Sequence, residues 1–155
     1  MTGKMNVDIN LKNAIKCAII KNATEYLNPP ITNIGYKGIL KTSREIIKWF
    51  KNSKNIARDF KTTAMLMEKA GTGGGLFRKI YCDFLLESAE KLDSELLIKA
   101  GQKFEIIAQR WSEVAYLFDK AGGSEDIIHV NSAAKILADL SIMEKTVMQQ
   151  LLENL

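Results

Sequence analysis

The densest chemical feature of the sequence is Gly71-Thr72-Gly73-Gly74-Gly75, where four of the chain's ten glycines fall together. Glycine loses more conformational freedom on folding than other residues, so such a cluster needs a reason. The loop runs straight into a helix start, where free N–H groups and the helix dipole favour an anion. Arg78 and Lys79 would add positive charge in the first turn. One reading is therefore a phosphate or carboxylate ligand. The other is a tight turn that lets two helices cross closely. Neither nucleotide-binding pattern fits: there is no Gly-x-x-x-x-Gly-Lys-Ser/Thr run, and no strand precedes the loop. Gly71 suffices to end the preceding helix in a left-handed cap. We therefore expect at least one of Gly73, Gly74 and Gly75 at positive φ, with the loop at a concave surface. Phe77 should point into the core, leaving Arg78 to face the loop or a neighbouring carboxylate.

Other candidates are weaker. Arg110-Trp111-Ser112 lies in mid-helix, with Glu105 upstream. Trp111 falls on an apolar stripe and reads first as core. Arg110 is offset from the stripe, and Trp49-Phe50 also read as core. His129 stands alone, without a paired cysteine, serine or carboxylate motif. Cys17 and Cys82 match no CxxC pattern, lie mid-helix, and with one histidine make no recognisable zinc site. Glu87, Glu90 and Asp93 read as a solvated helix face. No nucleophile–base–orienter set emerges, so the isolated chain is expected to be non-catalytic.

The 22 Lys+Arg against 18 Asp+Glu leave a net charge of +4. The basic residues are spread over every helix, with no dense stripe and no DNA-reading motif, which argues against a nucleic-acid partner. No segment approaches the ~20 apolar residues of a membrane span. The start lacks an apolar signal core, so reduced thiols and a cytoplasmic location are expected.

The elements that must carry these residues are helices, because apolar residues recur at spacings of three and four nearly throughout. A first helix over about 9–27 presents Leu11, Ile15, Ala18, Ile19 and Tyr26, and Pro29-Pro30 ends it. A second over about 37–51 presents Ile39, Ser43, Ile46, Ile47 and Phe50. Ser53 is placed to cap a third, with Ile56, Phe60, Ala64 and Met67 inward. The fourth follows the glycine loop with Phe77, Ile80, Tyr81, Phe84, Leu85 and Ala89. A fifth, from Ser94 to about Ala121, carries the longest stripe, from Leu97 to Phe118, and Gly122-Gly123 stops it. Ser124-Glu125-Asp126 opens a sixth, with Val130, Ala134, Leu137, Leu140, Val147, Met148 and Leu151 inward. The 155 residues are expected to form one domain, an all-α antiparallel bundle of about six helices.

The block Gly71-Thr72-Gly73-Gly74-Gly75-Leu76-Phe77-Arg78, followed by Tyr81 and Phe84-Leu85, resembles the signature of a helical domain of uncharacterised function. That domain lies at the C-terminus of proteins similar to the butirosin-biosynthesis acyltransferase. Asn28-Pro29-Pro30 with Gly35 and Gly38, Lys48-Trp49, and Ile107-Ala108-Gln109-Arg110-Trp111 extend the match across about Leu11 to Ala121. The resemblance implies an N-terminal partner domain that supplies a cysteine nucleophile, so no catalytic residue is sought here. It also implies an acyl-transfer context, with an acyl carrier protein as a candidate partner and either its phosphopantetheine arm or an anionic acyl chain as the ligand type. Thr72, Gly73, Gly74, Gly75, Arg78, Tyr81, Arg110 and Trp111 are the candidate ligand-binding residues. The expected role is an accessory domain that shapes an acyl, carrier-protein or small-molecule site. The alternative is a helical interaction or oligomerisation module whose glycine loop is only a turn. A small enzyme that uses other residues ranks third.

Overall fold

A computed structural model of the protein describes residues 10–69 and 73–155. Six helices follow in order: α1 (Leu11–Leu27), α2 (Gly35–Asn52), α3 (Ile56–Lys69), α4 (Gly75–Leu92), α5 (Glu95–Ser124) and α6 (Ile127–Asn154). There is no strand among the described residues, and the helices pack as an all-α bundle around one shared core.

The axis of the molecule is the long α5–α6 hairpin. Ser94 and Asp126 cap the two helices by accepting N–H groups of Leu97 and Ile128. The α5 stripe from Leu97 to Phe118 is buried as its spacing predicts. The remaining helices divide between the two members of the hairpin. α3 and α4 pack on α5, whereas α1 and α2 pack on α6. Thus α2 and α3, although joined by a short link, lie on different supports and leave a space between them.

Several expectations need correction. Gly122 and Gly123 do not stop α5, which runs on to Ser124, and Glu125 takes the left-handed conformation instead. Gly122 stays in the helix because a Cβ there would press on Lys61 and Ala57 of α3, at 2.8 and 3.1 Å. α2 begins two residues earlier than expected, at Gly35. The N–H of Arg58 is taken by Asn55, not by Ser53, so Asn55 caps α3. On α1 only Ile19 and Ala23 are buried, and Leu11 and Ala18 of the expected stripe face outward. On α4 the buried residues are Gly75, Cys82, Leu85, Ser88 and Ala89. Phe77 and Ile80 are therefore not core: they are 50% and 54% exposed. α4 is apolar on most of its circumference, so its period does not say which arc is inward. The proposed cap Gly71 and candidate Thr72 lie outside the described residues.

Candidate functional site

The glycine loop meets α4 as the sequence suggested, with Gly73 at φ +109°. The other two described glycines answer to close packing. A Cβ on Gly74 would collide with the Met67 carbonyl of α3. One on Gly75 would lie 2.7 Å from Ser112 Oγ and 2.8 Å from the Ala108 carbonyl of α5. Backbone does approach another group here, and that group is the protein's own helix.

Arg78 turns toward both of its expected neighbours, the loop and a carboxylate. Nη1 donates to the Gly73 carbonyl. Nε and Nη2 donate to Glu144 Oε1 and Oε2 at 2.9 and 3.2 Å. The guanidinium also stacks on Trp111, 4.5 Å from the ring centroid. Glu144, on α6, is only 1% exposed. Besides Arg78 it accepts the indole N–H of Trp111 at 2.7 Å and the Tyr26 hydroxyl at 2.5 Å. A buried carboxylate is costly unless its lone pairs are used, and four donors use them here. The cluster ties α1, α4, α5 and α6 together and anchors the glycine loop through Gly73. Burial and the neighbouring carboxylate push the Tyr26 phenol well above its ordinary range.

Tyr81 packs edge-to-face on Phe104, with centroids 4.8 Å apart. Burial pushes its phenol up to about 12, offset only in part by Asn22, and its hydroxyl oxygen has no well-formed hydrogen bond. Arg110 lies apart, paired with Asp139 at 3.1 Å on the outer face of the hairpin. The candidate residues thus fall in different places. Arg78, Tyr81 and Trp111 surround the Glu144 cluster, Gly75 is wedged against α5, and Arg110 belongs to a surface pair. Both cysteines are free thiols, Cys17 exposed and Cys82 buried. Burial raises the Cys82 thiol, with Asp83 and Glu105 adding to the effect.

An apolar cavity lies elsewhere, in the space between α2 and α3. This cleft has a volume of about 400 Å³ and is floored by α5 and α6. Its inner surface is Ile46, Phe60, Met67, Trp111, Phe118 and Leu137. Phe60 is held edge-on between Phe50 and Phe118, with centroids 5.3 and 5.5 Å away. The mouth carries Thr42, Trp49, Asn52, Ser53, Asp59 and Thr63. Gly73 also lines the cleft, and Trp111 connects the cleft to the Glu144 cluster through its indole. A concave apolar surface with a few convergent polar groups is the ordinary form of a small-molecule site.

Two of the eight candidates, Gly73 and Trp111, reach this cleft. The residues that sequence reasoning missed are Asp59, Thr63, Ile46 and, in the buried cluster, Glu144 and Tyr26 in its bonded role. Glu144 left a readable signal. It stands on the α6 stripe between Leu140 and Val147, at spacings of four and three, where a carboxylate has to be paired. The cleft left none, because it depends on which neighbour each helix packs against.

No curated protein and no solved structure matches the chain. A family model does, over residues 2–151, and the chain therefore belongs to the family described as Domain of unknown function (DUF4872).

Proposed function

We propose that the chain is a non-catalytic helical accessory domain whose α2–α3 cleft holds the apolar portion of a small molecule. The sequence resemblance supplies the setting: a butirosin-type acyltransferase-like protein in which a separate N-terminal domain provides the cysteine and a carrier protein brings the acyl group. The molecule held is then a reactant of acyl transfer. Cytoplasmic location and contact with a phosphopantetheine arm belong to the same proposal.

One observation carries this reading: the open cleft with packed aromatic walls and a polar mouth. The glycine loop supports an anion site less well, since Arg78 already has Glu144 and the Gly73 carbonyl as partners. The alternative, an interaction module, draws on Leu76, Phe77 and Ile80, which expose apolar surface along one side of α4.

The test is a titration with n-alkanols of increasing length, read by the fluorescence of Trp49 at the mouth. Each buried methylene contributes about 0.8 kcal/mol, so two added carbons should tighten binding about tenfold until the cleft is full. Thr63 is exposed at the mouth, and Thr63→Trp fills the opening from outside the core. This variant should keep the wild-type melting temperature and lose the binding. Unchanged binding in Thr63→Trp would refute the cleft as the site.

A further inference from the structure

The hydrogen bonds at the mouth of the cleft restrict what its ligand can be. Thr42 Oγ1 donates to the Gly38 carbonyl at 3.0 Å, and Thr63 Oγ1 donates to the Asp59 carbonyl at 2.7 Å. Ser53 Oγ donates to Asp59 Oδ2 at 2.8 Å. A carbonyl or carboxylate can only accept, so each hydroxyl has committed its single proton. The Thr42 and Thr63 hydroxyls therefore keep their lone pairs for anything entering the cleft, and Ser53 Oγ, which also accepts the Asn55 N–H at 3.2 Å, keeps one. Asp59 is itself an acceptor. It is also the sole charged side chain lining the cleft among the described residues. The remaining polar groups of the mouth are the amide of Asn52 and the indole of Trp49, which is 48% exposed.

We infer that the cleft takes an apolar molecule that ends in a protonated amine, with the ammonium seated at Asp59 among the lone pairs of Ser53, Thr42 and Thr63. This rests on the reading of the cleft as a ligand site. An ammonium brings three donors and no acceptor, the complement of a mouth rich in acceptors. Its charge meets a carboxylate whose second oxygen accepts only Ser53, while Arg58 occupies the first at 2.9 and 3.0 Å. The Ser53 and Arg58 hydrogen bonds hold the Asp59 carboxyl below its ordinary range, so it is ionised at neutral pH. The face of Trp49 offers a further contact to a cation. A carboxylate or phosphate head would meet Asp59, whose charge is offset only by Arg58, a residue outside the lining. A polyhydroxylated ligand would bury its hydroxyls against Ile46, Phe60 and Leu137, where nothing can bond them.

The experiment compares n-octylamine, n-octanol and n-octanoate at pH 7 by calorimetric titration of the full chain. The wild type should bind the amine about tenfold more tightly than the alcohol, and the carboxylate most weakly. Asp59→Asn should erase the amine's advantage and leave the alcohol's affinity unchanged. Arg58→Ala removes the competing cation and should tighten amine binding several-fold, so the inference can be tested even where Asp59→Asn folds poorly. If amine and alcohol bind alike in all three proteins, the inference is overturned while the cleft reading stands. If none of the three probes binds the wild type, or Thr63→Trp binds them equally well, the cleft reading itself fails.

Discussion

The Glu144 cluster and the α2–α3 cleft meet at Trp111 and follow opposite rules. In the cluster, a carboxylate with 1% exposure is surrounded by donors that leave no lone pair idle. In the cleft, about 400 Å³ stands open, and only one lining side chain carries charge among the described residues. The lesson concerns where charge is available. Arg78 looks like a ligand-binding cation in the sequence, yet it compensates a buried carboxylate and steadies the loop before α4. The space that can receive a ligand is walled by residues that look in the sequence like ordinary core. Charge density along a chain therefore points to the fold's own polar joints as readily as to a site.

Arg78→Ala should have the largest effect. It strips Glu144 of its cation and leaves a buried carboxylate with neutral donors only, an error that typically costs about 3–5 kcal/mol. Chemical denaturation should show a loss of this size. A loss under about 1 kcal/mol would mean that the cluster contributes no more than a surface ion pair, and the contrast with the cleft would dissolve.

Alkaline titration should have a smaller effect. The ordinary phenol value is 10.0, and burial pushes Tyr81 up to about 12. The folded state therefore keeps a proton that the unfolded chain has already released. Through Tyr81, stability should be unaffected below about pH 10 and fall by about 2–3 kcal/mol as the pH rises toward 12. Tyr26, raised further still beside Glu144, adds its own loss from about pH 10 and continues it beyond that range. Tyr81→Phe should flatten the first part of the slope in denaturation curves taken across these pH values. A slope unchanged by the substitution would remove Tyr81 from the explanation. Thr63→Trp, by contrast, should change stability least, within about 0.5 kcal/mol as for surface substitutions elsewhere.

Much of the fold was legible in the sequence, and the reasons are specific. The α5 residues from Leu97 to Phe118 keep one narrow stripe over many turns, so the inward face is unambiguous. α2 is similar, with Ile39, Ser43, Ile46 and Phe50 all buried. α4 misleads because Leu76, Phe77 and Ile80 make its outer side nearly as apolar as its inner one. Gly75 against Ala108 and Ser112, with Arg78 on Glu144, fixes its rotation. Gly122-Gly123 look like a stop because glycine favours caps, yet a tight crossing with α3 demands the same residue. The site was legible in fragments. Arg78 does approach the loop and a carboxylate, but not for the reason read in the sequence, because Phe77 before it is half exposed and not core. The identity of that carboxylate is a tertiary fact, 66 residues away in the chain. The cleft arises because α2 and α3 choose different partners in the α5–α6 hairpin, a choice that local periodicity does not encode.

The division between structural charge and open cleft is tested most directly by a single backbone-amide NMR titration of the wild-type chain with n-octylamine. The predicted shifts gather on α2 and α3, around Thr42, Ile46, Asp59, Thr63 and Met67, and fade along α4. Shifts centred on the first turn of α4, from Gly75 to Lys79, with α2 and α3 silent, would contradict it: the glycine loop would then be the site and the cleft only a gap in the packing.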